Sequence, residues 1–128
     1  MAAQSMFGLE GQSALITGAT GALGSAAARA LAAAGVNLIL AGGNAEALTK
    51  LETELKKTGA KVAAVNRRPA SPQDTDAMVN AAVEVYGKLD LVLAASGMNF
   101  VAPITEMPVE RFDEVMEANV RGCVSHEM

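Results

Sequence analysis

The residues with the clearest chemical potential stand together in Thr17-Gly18-Ala19-Thr20-Gly21-Ala22-Leu23-Gly24. An apolar run, Ala14-Leu15-Ile16, leads into them, and an alanine-rich helical pattern from Leu23 to Ala34 follows. The chemistry this arrangement favours is anion binding. The first turn of a helix has N–H groups without intrahelical partners, and the helix macrodipole adds partial positive charge there. A pyrophosphate can reach that end only where no side chain blocks the backbone. Gly18 suits a tight turn, Gly21 a close approach by the ligand, and Gly24 the packing of helix on strand. The plainer alternative is that these glycines only end a strand and begin a helix.

Other chemistry-bearing residues are few. Cys123 is the sole cysteine, Tyr86 the sole tyrosine and His126 the sole histidine. Ser125 and His126 are adjacent, which is the wrong geometry for a nucleophile and its base, and no third group accompanies them. Cys123 has no cationic cluster nearby in sequence to lower its pKa and reads as a core or surface thiol. Asn119 stands three and four residues beyond Met116 and Val115, on the apolar side of a helical pattern. A buried amide there needs a partner, because leaving it unpaired costs on the order of 1–3 kcal/mol.

The elements that must position these residues alternate between short apolar runs and helical patterns, as in a parallel sheet built from βαβ units. Strands are expected at 13–17, 36–41, 61–65 and 89–95. The first helix is expected to bury Leu23, Ala27, Ala30, Leu31 and Ala34 and to stop at Gly35. Asn44 can cap a second helix whose inner face is Leu48, Leu51 and Leu55, stopping at Gly59. Ser71-Pro72 combines an N-cap with proline at the first helical position and opens a third helix. That helix carries Met78, Ala82 and Val85 inward and stops at Gly87. Strand four is apolar almost throughout, as a strand covered on both faces should be. A loop from 96 to 107 precedes a last helix with Val109, Phe112, Val115 and Met116 on one face. Crossover handedness gives the strand order 3-2-1-4, with the ligand crevice at the carboxyl ends of strands one and four.

At 128 residues the chain is expected to form a single domain. A net charge of −4 offers no footprint for nucleic acid, and no basic run points to an anionic membrane surface. No apolar stretch is long enough to cross a bilayer, and residues 1–8 do not read as a signal peptide. One cysteine fits a reducing compartment. These totals point to a cytoplasmic chain.

From Leu9 to Gly122 the chain resembles the N-terminal half of a short-chain dehydrogenase/reductase. The resemblance rests on the Thr17-Gly18 turn, Gly87-Lys88-Leu89-Asp90 before strand four, Gly97 just beyond it, and Asn119-Val120-Arg121-Gly122. It implies an α/β Rossmann-type parallel sheet with helices on both faces, here truncated after the fourth strand and its following helix. It implies NAD or NADP as cofactor and hydride transfer between an alcohol and a carbonyl. Cofactor contacts are implied at Thr17, Gly18, Thr20, Gly21, Ala22, Leu23, Gly24, Gly43, Arg68, Ala95, Ser96 and Gly97. Asn119 is the one catalytic residue whose motif is present, and in relatives it holds an ordered water in a proton relay. The plainer alternative is a helix amide bonded to a neighbouring carbonyl.

Several positions depart from the family. Ala22 stands where the standard branch has glycine, and the Gly18/Gly21/Gly24 spacing is more like the extended, epimerase-type branch. Arg68 replaces an adenine-binding aspartate, and Ala94-Ala95-Ser96-Gly97 replaces Asn-Asn-Ala-Gly. The corner after strand two, Gly42-Gly43, carries no charge that would choose between NAD and NADP. The family's serine and its tyrosine–lysine pair are absent. Tyr86 belongs to a helix end, and the residue four later is Asp90. Two main readings follow. One is the cofactor half of a reductase, inactive alone, whose parent acts on a small carbonyl or alcohol. The other is a non-catalytic interaction module retaining half a Rossmann fold. A fragment of an epimerase-type relative is a third. In each, strand four is expected to be an edge that self-associates or meets a partner.

Overall fold

The computed structural model describes residues 7–124, so Ser125 and His126 lie outside the described residues. Four strands alternate with helices: β1 (Ser13–Thr17), α1 (Ala22–Ala33), β2 (Asn37–Ala41), α2 (Ala45–Lys57), β3 (Val62–Val65), α3 (Pro72–Tyr86) and β4 (Leu91–Ala94). A 3-10 turn at Ile104–Glu106 precedes α4 (Val109–Met116). This last helix widens into a π turn over Glu117–Arg121 and returns to α geometry at Gly122–Val124. The strands form one parallel sheet in the order β3-β2-β1-β4. Consecutive pairing outward from β1 and a jump to β4 on its far side create the switch point, with its crevice at the carboxyl ends of β1 and β4.

Alternation along β1 and β2 builds two apolar layers. Ile16, Leu38 and Leu40 face α1 and α2, where they meet Ala28, Leu48, Leu51 and Leu55. Leu15, Ile39 and Ala41 face α3 and pack on Met78 and Ala82. Each fully buried leucine or isoleucine contributes roughly 1.5–3 kcal/mol relative to exposure, so the sandwich around β1 and β2 carries the stability of the domain. The helix boundaries follow local chemistry. Asn44 accepts the Ala47 N–H at 3.1 Å, and Ser71 accepts the Asp74 N–H at 3.2 Å with Pro72 just inside the helix. Gly87 closes α3 at a φ of +78°, where a side chain would be strained.

Three inward faces differ from expectation. In α1 the buried positions are Gly24 and Ala28, with Leu31 and Ala32 partly buried, while Leu23 is 81 % exposed. Gly24 must lie against the glycine turn, and 100° per residue then carries Leu23 away from the sheet. In α3 Val85 is exposed and Tyr86 turns inward instead, packing beside Leu89. The side of α4 expected to be inward is mostly in solvent, with Phe112 55 % exposed and Val109 and Met116 also exposed. Strand β4 is likewise not covered on both faces: Val92 is 46 % exposed, because no helix among the described residues packs closely on β4 as α2 packs on β3.

Candidate functional site: a glycine-walled cleft at the sheet switch point

At the carboxyl ends of the strands lies a cleft of about 640 Å³. Its floor is the turn after β1, with Gly18, Thr20 and Gly21. One wall is the β2–α2 corner, Gly42-Gly43-Asn44, and another is the loop after β3, Arg68-Pro69-Ala70. The loop after β4 (Ala95, Ser96, Gly97, Met98) and the helix positions Glu114, Glu117 and Ala118 complete it. Eight of the residues the sequence marks for a cofactor therefore meet in one place: Gly18, Thr20, Gly21, Gly43, Arg68, Ala95, Ser96 and Gly97.

The remaining four support the cleft or leave it. Thr17 is buried beneath, its hydroxyl 3.2 Å from that of Ser96. That contact, with Ala95 N–H donating to the Thr17 carbonyl at 3.2 Å, ties the sheet end where the family uses two asparagines. Gly24 is buried behind the turn. Ala22 and Leu23 have exposed side chains outside the lining, so only their backbone N–H groups, in the first turn of α1, are disposed towards a ligand.

The turn itself is tightly specified. Gly18 has a φ of +61°, and a Cβ there would lie 2.5 Å from Ser96 Cα and 2.6 Å from the Ala95 carbonyl oxygen. Gly21 N–H donates to the Gly18 carbonyl at 3.1 Å, and Gly21 stands at the N-cap of α1. Helices α2 and α3 have side-chain caps and an acidic residue in the first turn; α1 has neither. Its N-terminal donors and positive dipole end are thus left for an outside acceptor. Gly21 is less enclosed than Gly18, since a Cβ there would meet only the Gly18 carbonyl oxygen, at a tight 3.3 Å. A dinucleotide's pyrophosphate fits this floor: the donors are unclaimed and the surface above them is backbone.

Asn119 sits in the π turn and stands beside Gly97. It is exposed rather than buried on an apolar face. Its amide donates to the Met98 carbonyl at 2.7 Å and to the Val115 carbonyl at 2.9 Å, and its oxygen accepts the Met98 N–H at 3.2 Å. Asn119 thus fastens the loop after β4 to the last helix. A π turn at such a position is a common accompaniment of function.

Tyr86 is placed at the opposite end of the sheet. Its hydroxyl donates to the Leu38 carbonyl at 2.8 Å. Leu38 is the second residue of β2, roughly 13 Å along the strand from Gly42 by strand rise. Burial pushes the Tyr86 hydroxyl pKa up, and the Glu52 charge adds to it. Both keep it a protonated structural group. The motif marks neither the loop residues Gly42, Asn44, Pro69, Ala70 and Met98 nor Glu114, Glu117 and Ala118 as cleft residues, the last three because only tertiary folding brings the final helix to the cleft. Among the described residues no group of acidic, histidine or cysteine side chains is arranged to hold a metal.

The comparisons agree with this geometry. The family model described as "short chain dehydrogenase" matches residues 12–126, and the chain belongs to the short-chain dehydrogenase family. It is 57 % identical over 117 residues to an uncharacterized oxidoreductase of Mycobacterium tuberculosis, covering 91 % of this chain and 43 % of that protein. It is 32 % identical to 3beta-hydroxysteroid dehydrogenase 2 of Eggerthella lenta, covering 91 % and 45 %. Among solved structures, a short-chain type dehydrogenase/reductase from Mycobacterium marinum superposes with a TM-score of 0.92 at 28 % identity, over 99 % of this chain and 51 % of that one. NAD+-bound xylitol dehydrogenase superposes with a TM-score of 0.88 at 29 % identity, over 93 % and 46 %. The chain spans about half the length of these relatives, and no helix among the described residues is long and apolar enough to cross a membrane.

Proposed function

We propose that this chain is the dinucleotide-binding half of an oxidoreductase acting on an alcohol or carbonyl substrate, with NAD or NADP seated in the switch-point cleft. The observation that carries this reading is the uncapped N-terminus of α1, opening onto the backbone of Gly18 and Gly21 at the cleft floor. When bound, the nicotinamide supplies a hydride donor or acceptor. The chain's own contribution is positional. The first-turn N–H groups of α1 hold the pyrophosphate, and the loops after β2, β3 and β4 line the adenosine side. Asn119 holds the β4 loop in shape through Met98 and Val115, and the family resemblance would add to it the holding of a proton-relay water. The placement of Tyr86 away from the cleft, and the lack of any other tyrosine, support a chain that binds cofactor without turning over substrate. A cytoplasmic location is inferred from the family and the single cysteine.

The test is a fluorescence titration of NADH and NADPH against the chain and its Gly18→Val variant. Binding to the chain, lost in the variant because a side chain enters the Ser96 backbone and the phosphate floor, supports the reading. Equal binding by both would remove the glycine turn from the account.

The exposed edge of β4 favours a second reading alongside the first. Val92 and Leu93 are partly in solvent on a strand with one unpaired side. Apolar edges of this kind pair with other strands, so the fold also serves as a pairing surface, for a second copy or for another polypeptide.

A further inference from the structure

The β2–α2 corner of this cleft, Gly42-Gly43-Asn44, carries no carboxylate to accept from a ribose diol. Gly42 and Gly43 have no side chain, and the Asn44 side-chain oxygen is committed to the Ala47 N–H. What fills the corner comes from another strand. The Arg68 side chain crosses from the loop after β3 and lies on Gly43: a Cβ at Gly43 would overlap Arg68 Nε and stand 3.0 Å from its Cγ and 3.1 Å from its Cδ. Gly43 is not in the left-handed region, so its backbone does not require glycine. A Cβ there fits only if the Arg68 arm moves from its present path.

The two neighbouring arginines are treated differently. Arg67 is paired with Asp74 in the first turn of α3, Nη1 to Oδ1 at 3.1 Å. Arg68 has no ion pair and no side-chain hydrogen bond among the described residues. Its backbone is nonetheless held. Arg67 N–H donates to the Val65 carbonyl at 2.9 Å, Ala70 N–H to the Arg68 carbonyl at 2.8 Å, and Pro69 is buried against Gly122. The acidic residues of the cleft, Glu114 and Glu117, belong to the last helix, and each has its own arginine, Arg111 and Arg121. An exposed guanidinium with its donors free among the described residues, lying over Gly42-Gly43-Asn44, none of which is a carboxylate, suits a doubly charged phosphate better than a neutral diol.

We propose that Arg68 selects the cofactor, taking the adenosine 2′-phosphate of an NADP-type dinucleotide at the β2–α2 corner, with Gly43 as the groove that lets its side chain pass. This rests on the dinucleotide reading above. The carrier of selectivity is thus a residue after β3, reaching over a corner that is itself uncharged.

The test compares dissociation constants for NADPH and NADH on the chain, Arg68→Ala, Arg68→Lys and Gly43→Ala, at two ionic strengths. The chain is expected to prefer NADPH by about tenfold or more, the scale of one or two charge-assisted hydrogen bonds. Arg68→Ala should bring the ratio near one. Arg68→Lys should keep part of it, as a point charge without the fork. Gly43→Ala should lower it by displacing the arm, although Arg68 is intact. Adenosine 2′,5′-bisphosphate should compete better than ADP on the chain and lose that advantage in Arg68→Ala, and the preference should shrink at high salt. A ratio near one on the unmodified chain, or an undiminished preference in Arg68→Ala, overturns the assignment and leaves dinucleotide binding intact. Failure of both dinucleotides to bind the chain overturns the dinucleotide reading, and this assignment with it.

Discussion

Gly24 stands against Gly18 so closely that a Cβ at position 24 would overlap the Gly18 carbonyl oxygen and come within 2.9 Å of its carbonyl carbon. The start of α1 is thereby pressed onto the turn that forms the cleft floor. Gly21, three residues earlier, is less confined: a Cβ there would meet only the Gly18 oxygen, at 3.3 Å, a tight contact that a shift of a few tenths of an ångström relieves. The two glycines should separate folding from binding. Gly24→Ala is expected to cost about 1–3 kcal/mol through overpacking. Gly21→Ala should cost about 1 kcal/mol or less as an N-cap change, yet weaken dinucleotide binding by putting a methyl on the approach path. Denaturant unfolding and ligand titration on both variants check this. Equal stability losses would contradict it.

Asn119 and Gly97 form a second such pair, since a Cβ at Gly97 would lie 2.5 Å from Asn119 Oδ1. Asn119→Ala is expected to destabilise the chain by about 1 kcal/mol and to speed hydrogen exchange at Met98. Gly97→Ala should do the same by pushing the amide aside. The double variant should fall well short of the sum, because both remove one set of bonds. Additive losses would show that the two positions act separately.

How far the sequence revealed this arrangement depended on contrast between neighbouring residues. The strand order, the Asn44 and Ser71 caps and the Leu48/Leu51/Leu55 face were legible because leucines stand among charges and caps have few alternatives. The face of α1 was not, because a helix of alanines buries either side at similar gain, and the choice fell to the Gly24–Gly18 contact. Val85 and Tyr86 exchanged places because a large ring with a hydroxyl partner at Leu38 outweighs a valine. The glycine turn was visible as a motif. The Arg68 arm over Gly43 was not, since nothing local connects residues twenty-five apart.

Asp90 joins β4 to β1. Its carboxylate accepts the Ser13 N–H at 2.9 Å and pairs with Lys88 at 3.0 Å, while the Ser13 hydroxyl bonds the Lys88 carbonyl. The Ser13 N–H first, and Lys88 second, hold this carboxyl below its ordinary value. A carboxyl with a depressed folded-state pKa stabilises fully above its unfolded value, and that contribution disappears as pH falls through the folded one. Asp90→Asn is therefore expected to lower the thermal midpoint at neutral pH and to flatten its fall on acidification below the usual aspartate range. A midpoint difference between the two proteins that is the same at neutral and acid pH would contradict this.

The β4 edge should govern association. Val92→Lys places a charge on an exposed strand without touching the β1–β2 core, and charged edges resist pairing. Light scattering across a concentration series should show association by the chain and a shift towards monomer in the variant. A concentration-independent monomer would contradict edge pairing.

The most direct test of the account is to map dinucleotide binding residue by residue, by following backbone amide resonances of the isotopically labelled chain during an NADPH titration. The account predicts saturable shifts at Gly18 and Gly21 to Gly24, with Gly43, Arg68 and Ser96 moving together and Tyr86 unmoved. Saturable shifts confined to β4 and α4, with the glycine turn silent, would contradict it.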